Sequence, residues 1–557
     1  MCGIFGVTSA LENQVPLLLD NLRYLAYRGY DSTGICLQHN GLKVYKTTGD
    51  VKHLNQEIST YYAKACIGHT RWATHGKQSV ENAHPHLSAE HVSIVHNGII
   101  QNFQKIKVGL EEEGYVFLSQ TDSEVIAHLL FKLLKDHPPL VAIQRLETIL
   151  EGRYAFIAQI STYQDKIFGL SCNLPLFIGK SENSHTIASD LIALKHCQTY
   201  SKAPNHKAFE ISPDHCSEGL QFSPVPKLKC PIDFTDLNIT FREICEQHHI
   251  LRKLPTIPKL PRPKHILFIA CGSSFHAAKI ADYWLSSLGI HTTLEVASEL
   301  KGRSLFPLED SWVVAISQSG ETADTLLCLQ NILPQKHLHS IAITNTPTSS
   351  LAQLCKTIIP LNIGMERGVA STKAVTASML VLYKLVQTLS TNEPIPKSMS
   401  LTIESLYHRP EITQYAHILS KYQHILCLGR HDLFPIAQEC ALKIKELAYI
   451  HAEALPMGEL KHGPLALIDH KVFCIVFGNA DCRSTQNCLS EIQARGGAVL
   501  RIGSGSLRTP EISIRAVLNH SYIIINIVGQ LLAYHTAATL NRAIDQPRNL
   551  AKSVTVE

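Results

Sequence analysis

In Met1-Cys2-Gly3-Ile4-Phe5-Gly6 a cysteine directly follows the initiator methionine, so removal of Met1 puts a thiol and a free α-amine on one residue. A free amine has a pKa near ~8 and a free thiol near ~8.5, so the amine can take the thiol proton, directly or through a water, and leave a nucleophile. Candidate partners follow: Arg28 in Tyr27-Arg28-Gly29-Tyr30-Asp31-Ser32, the run Gly68 to Gly76 carrying Arg71, Trp72, Thr74 and His75, then His96-Asn97-Gly98 and Thr121-Asp122. Singly, an Arg is an ordinary surface or salt-bridged residue and Asn-Gly an ordinary turn. Together they supply what amide hydrolysis by a terminal thiol needs. Arg71 can fork a substrate carboxylate, Asp122 can hold a substrate ammonium, and the Asn97 side chain beside the Gly98 N–H can form an oxyanion hole. His84 and His86 form a poor zinc set without a carboxylate or thiolate beside them, and no metal or other cofactor is expected.

A second group of residues lies far downstream. Ser317-Gln318-Ser319-Gly320-Glu321-Thr322 follows an apolar strand-like run and opens a helical pattern, so it reads either as a phosphate cradle or as a Ser-rich turn with an N-cap. Cys271-Gly272-Ser273-Ser274 and Val369-Ala370-Ser371-Thr372-Lys373 occupy comparable strand ends, and three hydroxyl-rich strand ends around one pocket suit a sugar phosphate. Glu439, Lys443 and Glu446 fall at i, i+4 and i+7 on one helix face, followed by Glu453, Glu459, Lys461 and His462. On spacing alone such a face is either solvated or an acid–base array. The tail Asp545 to Glu557 carries Ala551 and Lys552.

The elements that must position these groups differ between the two halves. Residues 1–225 mix short β-type runs (Ala65 to Gly68, His91 to Val95) with helical stretches (Val15 to Leu25, Ser123 to Lys135), which predicts one α+β domain. Prolines 224, 226, 231, 255, 258, 261 and 263 mark a connector, taken as 226–260, with a short helix at Phe241 to Lys253. Beyond it the chain repeats. His265-Ile266-Leu267, Trp312 to Ile316 and His339 to Ile343 recur at His424-Ile425-Leu426, Val472 to Val476 and Ala498 to Ile502, always 159 or 160 residues on. This predicts two copies of a doubly wound parallel α/β domain, 261–395 and 396–547, with a tail at 548–557. Gly478-Asn479-Ala480 and Gly503-Ser504-Gly505 of the second copy lack the hydroxyl array, so the first copy is expected to bind phosphate. Tyr522 to Ala538 reads as a buried strand running into a helix, because Asn526, Gln530 and His535 interrupt its apolar run.

Bulk properties narrow the function. At ~150 residues per domain, 557 residues imply three to four domains. A net charge of +4, from 51 basic and 47 acidic residues without a dense basic run, gives no nucleic-acid footprint. The 16 cysteines include no Cys-x-x-Cys pair, which fits reduced thiols in the cytoplasm. With neither a signal-peptide pattern nor a membrane span read from the sequence, a cytoplasmic protein is expected.

The leading Cys-Gly-Ile, Arg71-Trp72-Ala73-Thr74-His75-Gly76, Asn82-Ala83-His84-Pro85-His86 and Gln120 to Glu124 resemble the glutaminase domain of the N-terminal-nucleophile amidotransferases. With the duplicated half and the tail, the whole chain resembles the glutamine:fructose-6-phosphate aminotransferase (isomerising) family. That resemblance implies a four-layer αββα glutaminase domain followed by two sugar-isomerase (SIS) domains, acting on glutamine and fructose 6-phosphate as a homodimer. It implies a Cys2 thioester, an oxyanion hole from Asn97 and Gly98, and glutamine held among Arg28, Arg71, Thr74, His75 and Asp122. On the sugar side it implies phosphate on Ser274, Ser317, Gln318, Ser319 and Thr322, with Gly272 and Ser273 in the same loop and Cys271, Val369, Ser371 and Ala551 lining the sugar. Lys552 would form an imine, Glu446 move a proton between C1 and C2, Lys443 face the substrate oxygens, and His462 open the ring from the neighbouring subunit. Trp72 would gate an ammonia passage. The chain departs from the pattern at Arg242-Glu243-Ile244-Cys245-Glu246-Gln247-His248, at Gly429-Arg430-His431-Asp432 and at Ser273, and it is shorter than the usual bacterial form. A phosphoribosyl-diphosphate amidotransferase gives the duplicated half no role, and a sugar-phosphate regulator or deglycase gives Cys2 none.

Overall fold

The computed structural model describes residues 2–54, 58, 60–73, 75–226, 239–300, 308–390, 394–396, 398–506, 511–513 and 521–554. Two compact units divide near residue 231.

In the first unit, Gly3–Ser9 is buried along its whole length because it lies inside an eight-stranded antiparallel sheet, between Ala65–Arg71 and Ser184–Ala188. A second antiparallel sheet of five strands faces it through Val92–Ile100 and Gly152–Ile160. The helix Val15–Leu25 covers the outer side of the first sheet, and Glu124–Leu133 and Pro139–Ile149 cover the second, giving the four layers αββα. Between the sheets Ile4, Ile67, Val95 and Ile157 form a sealed apolar layer. Antiparallel pairing sets Gly3 opposite Thr70, so Cys2 leaves its strand beside Arg71 and Trp72.

The second unit contains both repeats. One parallel sheet runs His291–Val296, His265–Ala270, Ser311–Ile316, His339–Thr344, Thr357–Pro360 from edge to edge. The other runs His451–Pro456, His424–Gly429, Val472–Phe477, Ala498–Gly503, Glu511–Ser513. Both have the order 2-1-3-4-5, and the three strand pairs read as a repeat occupy equivalent places. In such sheets ligands bind at the carboxyl ends of the first and third strands, where the chain reverses direction across the sheet. Ala270 pairs with Ile316, so the loops after residues 270 and 316 leave adjacent strands at one level.

Tyr522 to Ala538 is not strand followed by helix: Ser521–Thr539 is one α-helix, buried on nearly every side against Lys373–Gln387, Pro410–Leu419 and Leu433–Ala448. An all-round apolar run carries no period to separate strand from helix, and length decides for helix. Of the polar residues that look like interruptions, Asn526 and Gln530 are bonded internally, and the His535 ring packs on Phe241 and Tyr534. Asn526 donates to Thr376 Oγ1 at 3.1 Å, and Gln530 donates to the Thr372 carbonyl at 3.1 Å and accepts from Gln247 at 2.6 Å. No helix among the described residues is long and apolar enough to cross a membrane.

Within the stretch read as a connector, Ile239–Cys245 is helical and Glu246–Arg252 continues as a 3-10 helix. Ile244 and Ile250 join the core that the two repeats share. The proline-rich chain beyond is held to the first copy, its Pro255 and Pro261 carbonyls accepting from Lys384 at 2.7 Å and the Trp312 indole at 3.0 Å.

Candidate active site

In the first unit Cys2, Arg71, Trp72, Gly98 and Asp122 line one pocket with His84, His96, Thr121 and Ser123. The Trp72 N–H donates to Cys2 Sγ at 3.3 Å. Burial raises the Cys2 thiol, against the pull of that N–H and of Arg71. Gly98 has φ +119°, and a Cβ there would meet the Arg153 carbonyl oxygen at 2.2 Å, so only glycine brings this backbone to the pocket. Arg71 is buried and gives one terminal nitrogen to the His75 and Gly76 carbonyls. Among the described residues its other terminal nitrogen has no hydrogen-bond partner, leaving one arm for an anion. Asp122 is buried, accepts from the Ile100 N–H at 2.8 Å, and lies 3.9 Å from His75 Nδ1.

Two expected contacts take a different form. Asn97 Nδ2 donates to the Cys2 carbonyl at 3.0 Å, so here its amide holds the backbone of the nucleophile. Arg28 also donates to that carbonyl, at 3.2 Å, and pairs with Asp190 at 2.8 Å; it anchors Cys2 and is not among the residues lining the pocket. Thr74 lies outside the described residues. Asp190, which also accepts from the Tyr27 hydroxyl at 2.6 Å, escaped sequence reasoning because it is 162 residues from Arg28. His84 and His86 meet edge to face, centroids 4.6 Å apart, and His84 also packs on His69, centroids 4.1 Å apart. Burial draws His69 down to about 3 and lowers His84, His86 and His96 as well, so all four are neutral near pH 7. No cluster among the described residues has the makings of a metal site.

In the second unit Ser317 to Thr322 wraps into a turn at the start of the helix Ala323–Ile332. Ser317 Oγ receives the Gly320 N–H at 3.1 Å and pairs with Thr322 Oγ1 at 2.9 Å, and Ser319 Oγ receives the Glu321 N–H at 3.1 Å. Hydroxyls and the positive helix end thus share one loop, the geometry of an anion cradle. The tail docks on it: Ser553 Oγ pairs with Ser319 Oγ at 2.8 Å, and the Ala323 N–H donates to the Val554 carbonyl at 3.0 Å. Docking also fixes its two preceding residues, Ala551 and Lys552, near this turn. The Lys552 side chain is 4% exposed and ion-paired with Glu366, a residue without a local motif although it stands three residues before Val369. The Val369 N–H is held by the Asp545 carbonyl at 3.2 Å. Ser371 precedes Thr372, the N-cap of Lys373–Gln387.

Cys271 caps the helix Gly272–Ser286, and Ser274 lies in its first turn. Ser273 is turned away from a phosphate role: its hydroxyl donates to Glu439 at 2.8 Å, and His276 Nδ1 meets the other oxygen at 2.7 Å. This joins the first-copy loop to the charged face of Leu433–Ala448. There Lys443, 1% exposed, pairs with Glu439 at 3.3 Å and Glu446 at 2.5 Å. Burial opposes its charge, yet the two carboxylates hold its ammonium above the ordinary lysine range, and Glu439 is pulled down to about 2. His462 ends the 3-10 turn Met457–His462, exposed and without a hydrogen bond or ion pair among the described residues. In the second copy, buried Arg501 donates to the Gly478, Ser504 and Gly505 carbonyls, so a side chain fastens the turns that lack the hydroxyl array.

The chain matches the glutamine amidotransferase domain family over residues 69–196 and the SIS domain family over residues 259–387 and 418–539. It is 34% identical over 615 aligned residues to a glutamine–fructose-6-phosphate aminotransferase (isomerising) of Francisella tularensis. It is 35% identical over 623 to one of Pseudomonas syringae pv. tomato, and each alignment covers all of both chains. Among solved structures, a tagatose-6-phosphate ketose/aldose isomerase from Escherichia coli is similar in fold: TM-score 0.50 at 19% identity, covering 56% of this chain and 95% of that one.

Proposed function

The chain belongs to the glutamine–fructose-6-phosphate aminotransferase (isomerising) family, and from that premise we propose how its residues divide the reaction. Glutamine enters the Cys2 pocket with its α-carboxylate on the open arm of Arg71 and its ammonium on Asp122. The Cys2 thiolate attacks the carboxamide carbon, and the Gly98 N–H and the Asn97 side chain, once released from the Cys2 carbonyl, stabilise the oxyanion. Collapse expels ammonia and leaves a thioester that water hydrolyses to glutamate.

Fructose 6-phosphate places its phosphate on Ser274 and the Ser317 to Thr322 turn, with Cys271, Val369, Ser371 and Ala551 around the sugar. Lys552 forms an imine with C2, ammonia displaces the lysine, and Glu446 carries a proton from C1 to C2 with Lys443 beside the oxygens. The products are glutamate and glucosamine 6-phosphate, a hexosamine for amino-sugar nucleotide and envelope synthesis. Ammonia must not take up a proton from water, so a closed passage gated at Trp72 joins the two sites. His462 serves the sugar site of the other subunit in a cytoplasmic homodimer.

The observation that carries this reading is the tail docked on the Ser317 to Thr322 turn, with Ser553 on Ser319 and Lys552 buried beside it. Purified protein given glutamine and fructose 6-phosphate is expected to release glutamate and glucosamine 6-phosphate in equal amounts. Glutamate without amino sugar would reduce the protein to a glutaminase.

A further inference from the structure

Glu366 is 2% exposed, and its two oxygens do different work. Oε1 accepts from the Thr372 N–H at 3.0 Å, the Thr372 hydroxyl at 3.3 Å and the Ala374 N–H at 2.9 Å, which caps the start of Lys373–Gln387. Oε2 receives the Lys552 ammonium. The segment that carries Glu366 is pinned from the other side, where Glu243 accepts the Arg367 N–H at 2.5 Å and the Gly368 N–H at 3.1 Å. A helix cap alone needs one oxygen, and the second is aimed at the amine.

We propose that Glu366 is the proton acceptor that readies Lys552 for attack on the ketose carbonyl, a role that rests on the imine-forming reading of Lys552 given above. An ammonium has no lone pair, so one proton must leave before the nitrogen can add to C2. Lys552 is enclosed, and loss of that proton to water would strand the Glu366 carboxylate without a counter-charge. Transfer within the pair instead turns NH3⁺ and COO⁻ into NH2 and COOH, and no buried charge is left alone. The amine then adds to C2. The Glu366 proton goes to the carbinolamine hydroxyl as it leaves as water, which restores the carboxylate and leaves the protonated imine. Ammonium plus ketone thus becomes iminium plus water, with no other reactant.

The charged groups facing Glu366 are Lys552, Glu243 and, beyond Glu243, Lys373, which is itself paired with Glu246 at 2.6 Å. Burial works against the Glu366 charge, but Lys552 and the donors on Oε1 overcome it and keep the carboxyl below its ordinary value. Burial and the Glu366 charge push Glu243 up to about 7, so the neighbouring carboxyl takes the neutral role in the pair.

The test is full-length Glu366→Gln, whose amide oxygen can still cap the helix while its NH2 cannot accept from Lys552. Enzyme with fructose 6-phosphate is quenched with borohydride, and the adduct on the Lys552 peptide is timed by mass spectrometry from pH 6 to 10. Wild type is expected to trap quickly and nearly independently of pH. The Gln variant should trap about a hundredfold more slowly near pH 7, its rate rising with pH as hydroxide replaces the missing acceptor. Glutamine hydrolysis should persist in that variant and sugar-phosphate binding should stay within a few-fold of wild type. Glu366→Asp should recover much of the rate with a flat pH profile, which a purely structural role would not give. Trapping by Glu366→Gln at the wild-type rate and pH profile would overturn the proposal while leaving the imine intact. Absence of any Lys552 adduct in wild type would overturn the imine reading and this proposal with it.

Discussion

Lys443→Met tests whether the enclosed charges between the two isomerase copies stabilise the unit as a set. Lys443 is 1% exposed, Glu439 is fully buried and Glu446 keeps a fifth of its side chain in water. Removing the lysine leaves Glu446 free to turn outward at little cost, but Glu439 keeps only the Ser273 hydroxyl and His276. Breaking a buried pair in this one-sided way costs about 3–5 kcal/mol, because the surviving charge loses its counter-ion without regaining water. Unfolding entropy is about 2.1 cal/mol/K per residue, so a unit of about 320 residues has roughly 0.7 kcal/mol/K, and a loss of about 4 kcal/mol lowers its midpoint by about 6 °C. Scanning calorimetry of the full chain should show the isomerase transition fall by that amount. Glu439→Gln with Lys443→Met removes both charges and should return most of the loss. A single variant that melts with wild type, or a double variant that melts below the single one, refutes the reasoning.

Acid should weaken the glutaminase unit early. The folded-state pKa of His69 is about 3 against an ordinary 6.5, so the unfolded chain binds the extra proton and stability falls with pH across that window. His69 alone accounts for about 2 kcal/mol between pH 7.5 and pH 5, and His84, His86 and His96 act in the same direction. The urea midpoint of this unit should therefore drop on acidification, and an unchanged midpoint contradicts the neutral cluster. Cys2→Ala should abolish glutamine hydrolysis, measured by product chromatography, yet keep fructose 6-phosphate binding, measured by titration calorimetry; loss of both means the halves are not separable. Gly320→Ala should raise KM for fructose 6-phosphate about tenfold through backbone strain, with glutamine hydrolysis unchanged. Gly320 has φ +68°, and a Cβ there would lie 2.0 Å from Ser349 Oγ. Unchanged kinetics would remove this turn from the phosphate site.

Most of the scaffold is legible in the sequence, because parallel strands covered on both faces appear as bare apolar runs and the repeat spacing marks which runs correspond. His265 to Leu267 and His424 to Leu426 accordingly hold the same place in two sheets of one strand order. The helix Ser521–Thr539 is not legible in the sequence, because Asn526 and Gln530 look like breaks while their partners Thr376, Thr372 and Gln247 lie far away in sequence. The same limit hid Glu366, Glu243 and Asp190. Each is an ordinary acidic residue by local pattern and acquires its role from a cation or N–H brought in by the fold. Ser273 and Asn97 show the converse: motif membership identified them, and geometry assigns Ser273 to Glu439 and Asn97 to the Cys2 carbonyl.

The central claim is that nitrogen released at Cys2 is the nitrogen installed at the carbon held by Lys552. Full-length enzyme should be given glutamine labelled with ¹⁵N at the amide, fructose 6-phosphate and an excess of unlabelled ammonium, and the glucosamine 6-phosphate weighed by mass spectrometry. The account predicts product carrying ¹⁵N despite the excess. Product carrying the bulk ammonium isotope, or labelled ammonia set free with no amino sugar formed, would contradict it.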